Sequence, residues 1–284
     1  MADRLTADAP PAPSHFQRHD PLEGVSTDGM IVTGARRSHI ASEFSPVIEK
    51  AVEHLQAIEG RHSLYVYGSV ATGSAQVGSS DVDLVTIGLA PAISTKLGKE
   101  LTAEFRGLCR GVEIGPAQQS DYEGSGDEAY GNRVFLRHYC VHLAGPDVGR
   151  GLPEFRADEA AARGFNGDIG LCADRWRAEF EHSPDPVVFG RRIARKTLLA
   201  VAGLVSIHDA SWTTDRVAAA RRWGLIRPPL AAALDALVGW SRGASTRPAP
   251  AEIQSVLDGV VASVVDEFSS RIGLWRLADS RSGR

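Results

Sequence analysis

The stretch "YVYGSVATGSAQVGSSDVDLV", residues 65–85, puts the tightest constraint on what this chain can become. Two short apolar runs flank a Gly-Ser pair and a small-residue segment, and the second run carries Asp81 and Asp83. Apolar, β-branched runs bounded by Gly and Ser predict strands. On a strand, residues i and i+2 share a face, so Asp81 and Asp83 lie side by side while Val82 and Leu84 point the other way into a core. Two carboxylates held this close repel, which raises the proton affinity of one of them. A hard divalent cation relieves the conflict, and Mg²⁺ characteristically takes one or two carboxylates together with substrate phosphates. Gly68 permits a tight exit from the first strand and close approach of a phosphate to the backbone. Ser69 is expected to open a short helix, adding a hydroxyl to free N–H groups that favour an anion.

The rest of the chain supplies a frame for this pair. Apolar residues at 44, 47, 48, 52, 55 and 58 predict an amphipathic helix over 38–58. Strands are expected at 63–67, 81–89 and 111–115, a helix at 92–108, and an acidic loop at 121–128. The segment 132–148 starts helix-like and ends as a strand. Past the "GRGLP" stretch at 149–153 the patterns are nearly all helical: 155–163, 168–182, 187–208, 214–223, 228–242 and 250–276. Residues 1–36, rich in Pro, Asp, Ser and Gly, are expected to be a mostly disordered leader. The predicted organisation is therefore a leader (1–36), a mixed α/β domain (37–150) and a helical domain (151–284).

Composition narrows the functional class. A net charge of -4 argues against coating nucleic acid or an anionic membrane by bulk electrostatics. Cys109, Cys140 and Cys172 lack the spacing of a zinc site or disulfide frame and are expected to be reduced thiols. No apolar run approaches the ~18 residues of a membrane span. A cytoplasmic protein is the expectation.

The Tyr-Gly-Ser of residues 67–69, an eleven-residue gap and "DVDLV" resemble the signature of the nucleotidyltransferase superfamily typified by DNA polymerase beta. "SSDVDL" is similar to the form in bacterial streptomycin/spectinomycin adenylyltransferases. "LRHYCVHLAGPDV" also resembles the stretch that closes their nucleotidyltransferase domain. The resemblance implies an α/β (α+β) domain with a small mixed sheet, followed by an all-helical C-terminal domain. It implies Mg²⁺-dependent transfer of a nucleoside monophosphate, AMP from ATP, onto an acceptor hydroxyl with pyrophosphate leaving. Where many small members have an arginine after Gly-Ser, this chain has Val70-Ala71-Thr72-Gly73.

The family usually adds a third carboxylate, as metal ligand or as base, and Glu113 in "GVEIG" matches it best. Asp121 and Glu123 are the alternatives on the following loop. Arg192, Arg195 and Lys196 recur at i, i+3 and i+4 on the helix predicted over 187–208. A solvated basic face accounts for them equally well. In related proteins, however, a helical-domain cation grips the triphosphate, which singles out Lys196 and then Arg192. The acceptor that the resemblance implies is a small molecule of aminoglycoside type. The competing readings are a protein-modifying enzyme of toxin–antitoxin kind and a nucleotide-binding module without catalysis. An RNA acceptor fits poorly without a basic, aromatic platform.

Overall fold

The computed structural model describes residues 20–182, 184–243 and 247–275. The first apolar run forms β3 (Ser63–Tyr67) and the second β4 (Val82–Ile87), paired antiparallel with Tyr67 opposite Asp83. They follow a hairpin of β1 (Gly24–Val25) and β2 (Ile31–Val32) and the helix α1 (Ser45–Gln56). Between them Gly68–Thr72 makes one short helix, α2, closed by Gly73 in the left-handed region. Helix α3 (Pro91–Glu104) crosses over to β5 (Val112–Ala117), which pairs parallel to β4 with Asp83 opposite Glu113. Helix α4 (Asp127–Tyr139) then leads to β6 (Val141–Ala144), antiparallel to β3. Among the described residues the main sheet runs β5-β4-β3-β6 and is mixed, as expected.

Strand alternation sorts the side chains between the two faces. Leu64, Val66, Val82 and Leu84 are fully buried against α1 and α3. The opposite face carries Tyr65, Val85 and Ile87, covered by Leu136 of α4 and by Tyr122. Asp83 shares that second face at the end where cover is incomplete.

The remaining described residues are predominantly helical: α5 (Glu159–Asn166), α6 (Ile169–Phe180), α7 (Pro186–His208), α8 (Arg216–Ile226), α9 (Ala231–Ser241), α10 (Pro250–Val256) and α11 (Ala262–Arg271). The helix expected across 250–276 is interrupted by a π-helical turn over Leu257–Val261. Phe189, Ile193, Leu198, Trp223 and Phe268 lie in its core. Trp176, Trp212 and Trp223 are buried there, and Trp240 packs partly buried against the same core.

Two features depart from the sequence expectation. Residues 20–36 are not a disordered leader: Ile31 is buried in the helical core and its N–H donates to the Phe155 carbonyl. Asp20 and Glu23 are buried as hydrogen-bonded carboxylates. Composition alone misses this because polar residues read as solvated until their partners, far along the chain, are in place. The remainder of the leader, 1–19, lies outside the described residues. The second departure concerns packing near residue 150. Val134 of α4 belongs to the helical core, and α4 packs on α5 with Gly131 against Gly164.

Candidate active site

Parallel pairing of β4 and β5 sets Asp83 and Glu113 directly across from one another. Asp83 is half-buried, and burial, then the negative charges of Glu113 and Asp81, push its pKa up to about 6. Arg110 and Arg195 oppose that shift. Asp81 sits one residue before β4, where its Oδ1 accepts from Arg110 Nε at 3.0 Å and its Oδ2 pairs with Arg110 Nη2. The neighbouring Tyr67 hydroxyl is held protonated far above its ordinary range by burial and by the charge of Asp83.

Gly68 closes this group from the sheet side. Its φ is +69°, and a Cβ there would lie 2.5 Å from Asp83 Oδ2. Only glycine satisfies both the left-handed backbone and that approach. The next residue, Ser69, opens a wall of small polar groups. Its carbonyl accepts from the N–H groups of Ser74 and Ala75, curling residues 72–76 back over it.

A cavity of about 560 Å³ joins these parts. It is lined by the small polar residues Ser69, Ser74, Gln76, Ser79 and Ser80, by the acids Asp81, Asp83 and Glu113, and by Arg110, Arg195 and Arg216. Arg195 comes from α7 and Arg216 from the first turn of α8. Neither makes a salt bridge to a carboxylate among the described residues. Burial and the charge of Arg195 together lower the Arg216 pKa. Two mutually repelling guanidinium groups and several hydroxyls lining one cavity are the kind of donors that a compact polyanion takes.

The two cations singled out from the sequence point elsewhere. Lys196 Nζ lies 2.5 Å from Asp168 Oδ1 and donates to the Phe165 carbonyl at 3.1 Å, inside the helical domain. Arg192 pairs with Glu179 and covers the Phe189 ring at 5.2 Å. The reason is helical phase. With 3.6 residues per turn, Arg195 and Lys196 are about 100° apart, and it is Arg195 whose direction meets the cavity. Arg216 and Arg110 escaped sequence reading altogether. Arg110 had one usable signal, its position just ahead of the strand bearing Glu113.

Asp83 and Glu113, across from one another on β4 and β5, are the kind of oxygen donors that a hard cation takes. The elevated proton affinity of Asp83 expresses the same demand for positive charge. Among the described residues no three His, Cys, Asp or Glu side chains are arranged as a closed ion-binding cluster. Both Asp81 oxygens are engaged by Arg110, so completing such a set requires that pair to open.

If ionised Asp83 is needed, kcat/KM must fall as pH drops through about 6. Acid protonates the carboxylate, so the acidic limb is expected to be first order in protons. A profile flat down to pH 5 would show that Asp83 ionisation is not required.

Residues 48–108 match the family described as nucleotidyltransferase domain. The match runs from α1 past the end of α3 and contains Gly68, Ser69, Asp81 and Asp83 but ends before Glu113. No curated protein matches the chain. This part of the chain therefore carries a nucleotidyltransferase domain, and nucleotidyl transfer is the general chemistry it supports.

Proposed function

We propose that the chain transfers a nucleoside monophosphate, AMP from ATP, to a hydroxyl of a small-molecule acceptor, with an aminoglycoside as the leading class. The observation that carries this reading is the Asp83–Glu113 pair in register on neighbouring strands, lining one cavity with Ser69, Arg195 and Arg216. Asp83, joined by Asp81 once released from Arg110, would hold Mg²⁺, whose chemistry here is Lewis-acid polarisation of phosphate oxygens, and would leave Glu113 free to act as the base. Ser69 and the neighbouring hydroxyls donate to the triphosphate, while Arg195 and Arg216 neutralise it from the helical side. Gly68 leaves room for that approach. Glu113 takes the acceptor hydroxyl proton as the acceptor oxygen bonds to the α-phosphorus. The bond from that phosphorus to the bridging oxygen breaks, its electrons leave with pyrophosphate, and AMP remains esterified to the acceptor.

One observation favours a second reading. Arg110 bound to both Asp81 oxygens is also what a nucleotide-binding module without transfer would carry. The deciding experiment measures pyrophosphate release from ATP with Mg²⁺ across an aminoglycoside panel and across cell lysate fractions. Release that depends on acceptor supports transfer. ATP binding with no release on any acceptor supports the module, and release only with a protein fraction moves the acceptor to a protein.

The exchange of cation roles is separately testable. Arg216→Ala is expected to raise the KM for ATP at least tenfold, as charge-assisted phosphate contacts contribute roughly 1.5–3 kcal/mol. Lys196→Ala should leave that KM within about twofold while costing ~3 kcal/mol of stability, because it strands Asp168 without its cation. Nucleotide titrations and denaturant melts on both variants would separate the roles. A Lys196→Ala enzyme with normal stability and a high KM would restore the sequence-based assignment.

A further inference from the structure

Glu23 is 7% exposed and has no salt bridge to lysine or arginine among the described residues. Its charge is met by neutral donors from two distant places. Oε1 accepts from the Tyr139 hydroxyl and from Thr214 Oγ1, each at 2.7 Å, and Oε2 accepts from the Thr214 N–H at 2.7 Å. Trp212 Nε1 in turn donates to the Tyr139 hydroxyl at 2.7 Å. The carboxylate thus ties the last residue of α4 to the α7–α8 connection. A buried carboxylate without a cation is costly, so its retention calls for a role that neutral packing would not supply.

The consequence of the tie lies two residues on. Thr214 is followed by Asp215, whose Oδ1 caps α8 by accepting from the N–H groups of Val217 and Ala218, and then by Arg216 at the cavity margin. The same N-terminal segment continues to α2, which contributes Ser69 to the cavity. Asp20 closes its turn by accepting from the Leu22 and Gly34 N–H groups, and the Arg36 N–H donates to the Ala71 carbonyl of α2 at 3.0 Å. Residues 20–36 therefore span from the start of α8 to the helix that begins at Gly68 and Ser69. Tyr139 also stacks on Phe135, whose ring meets the cavity residue Tyr67 edge-on at 5.1 Å.

We propose that Glu23 is a positioning residue that acts through Arg216: residues 20–36 strap together α8 and α2, which both contribute residues to the cavity, and the Glu23–Thr214 contacts hold the first turn of α8 where Arg216 meets the polyphosphate. The proposal rests on the nucleotidyl-transfer reading for its substrate, but its test does not need turnover. The probe is inorganic tripolyphosphate, titrated calorimetrically against the full chain and against Glu23→Gln, Thr214→Val, Arg216→Ala and the Glu23→Gln/Arg216→Ala double variant. Glu23→Gln keeps the shape but removes the charge and one acceptor, since its NH₂ would replace the oxygen to which the Tyr139 and Thr214 hydroxyls donate. It and Thr214→Val should each weaken binding about tenfold, with the double variant no more than about twofold weaker than Arg216→Ala alone. Amide hydrogen exchange at 214–218 should quicken in Glu23→Gln without any ligand present.

In turnover the Glu23→Gln loss should fall on the KM for ATP and spare kcat. Additive losses in the double variant, unchanged exchange at 214–218, or no tripolyphosphate binding by the unaltered chain would each overturn the proposal. Should the pattern hold while no acceptor supports pyrophosphate release, the transfer reading falls and the strap stands.

Discussion

Asp83→Asn is expected to lower pyrophosphate release by at least about 10³-fold, since in the proposed mechanism several kcal/mol of transition-state charge stabilisation would rest on the metal this carboxylate holds. The same variant should stabilise the metal-free fold. Because the folded pKa of Asp83 is raised to about 6, its contribution to stability is full below the ordinary carboxylate value and is lost as pH climbs through 6. At neutral pH the ionised form is therefore a burden, and the neutral amide should recover on the order of 2 kcal/mol. Denaturant melts at pH 5 and pH 7.5 test the sign: the gain should be clear at the higher pH and shrink at the lower. An inactive variant with no gain at pH 7.5 would mean that the charge conflict is already relieved in the free protein. An active one would remove Asp83 from the chemistry.

The second large effect is expected at Gly68. An alanine there must adopt φ near +69°, at a cost of roughly 1–3 kcal/mol. Its Cβ would also sit 2.5 Å from Asp83 Oδ2, and the carboxylate must then move away from Glu113. A displacement of about 1 Å at a reacting centre can cost 10²-fold, so Gly68→Ala should lose at least that much in kcat beyond its loss of stability. Gly73→Ala is the control. It carries the same kind of backbone strain, with its clash against the His39 carbonyl and not against an acid. Comparable kcat losses in the two, at matched stability, would mean that backbone strain alone accounts for the Gly68 effect.

The acid site was legible in the sequence wherever it depends on neighbours in the chain. Strand period placed Val82 and Leu84 in the core beneath α1 and α3 and left Asp83 on the other face. Glu113 was singled out because the resemblance implies a third acid on a later strand and its short apolar run reads as one, although its register opposite Asp83 exists only in the assembled sheet. Asp81 was less legible. It falls just outside β4, where it reaches Arg110. The basic helix shows the limit most plainly. Arg192, Arg195 and Lys196 are equivalent as a charge pattern, and packing alone decides that Arg195 faces the acids while Lys196 serves Asp168.

By itself the sequence determined the turn-and-strand unit from Tyr65 to Val85. The information there is local: period two, a glycine where φ must be positive, and a spacing shared with nucleotidyltransferase domains. The tertiary structure alone decided what stands opposite that unit. Arg216 reaches the cavity from more than a hundred residues away, and Glu23 supports it through Thr214 from the other end of the chain. No sequence period encodes such meetings, because they depend on the angles at which helices pack and on hydrogen bonds that form only once distant segments are buried together.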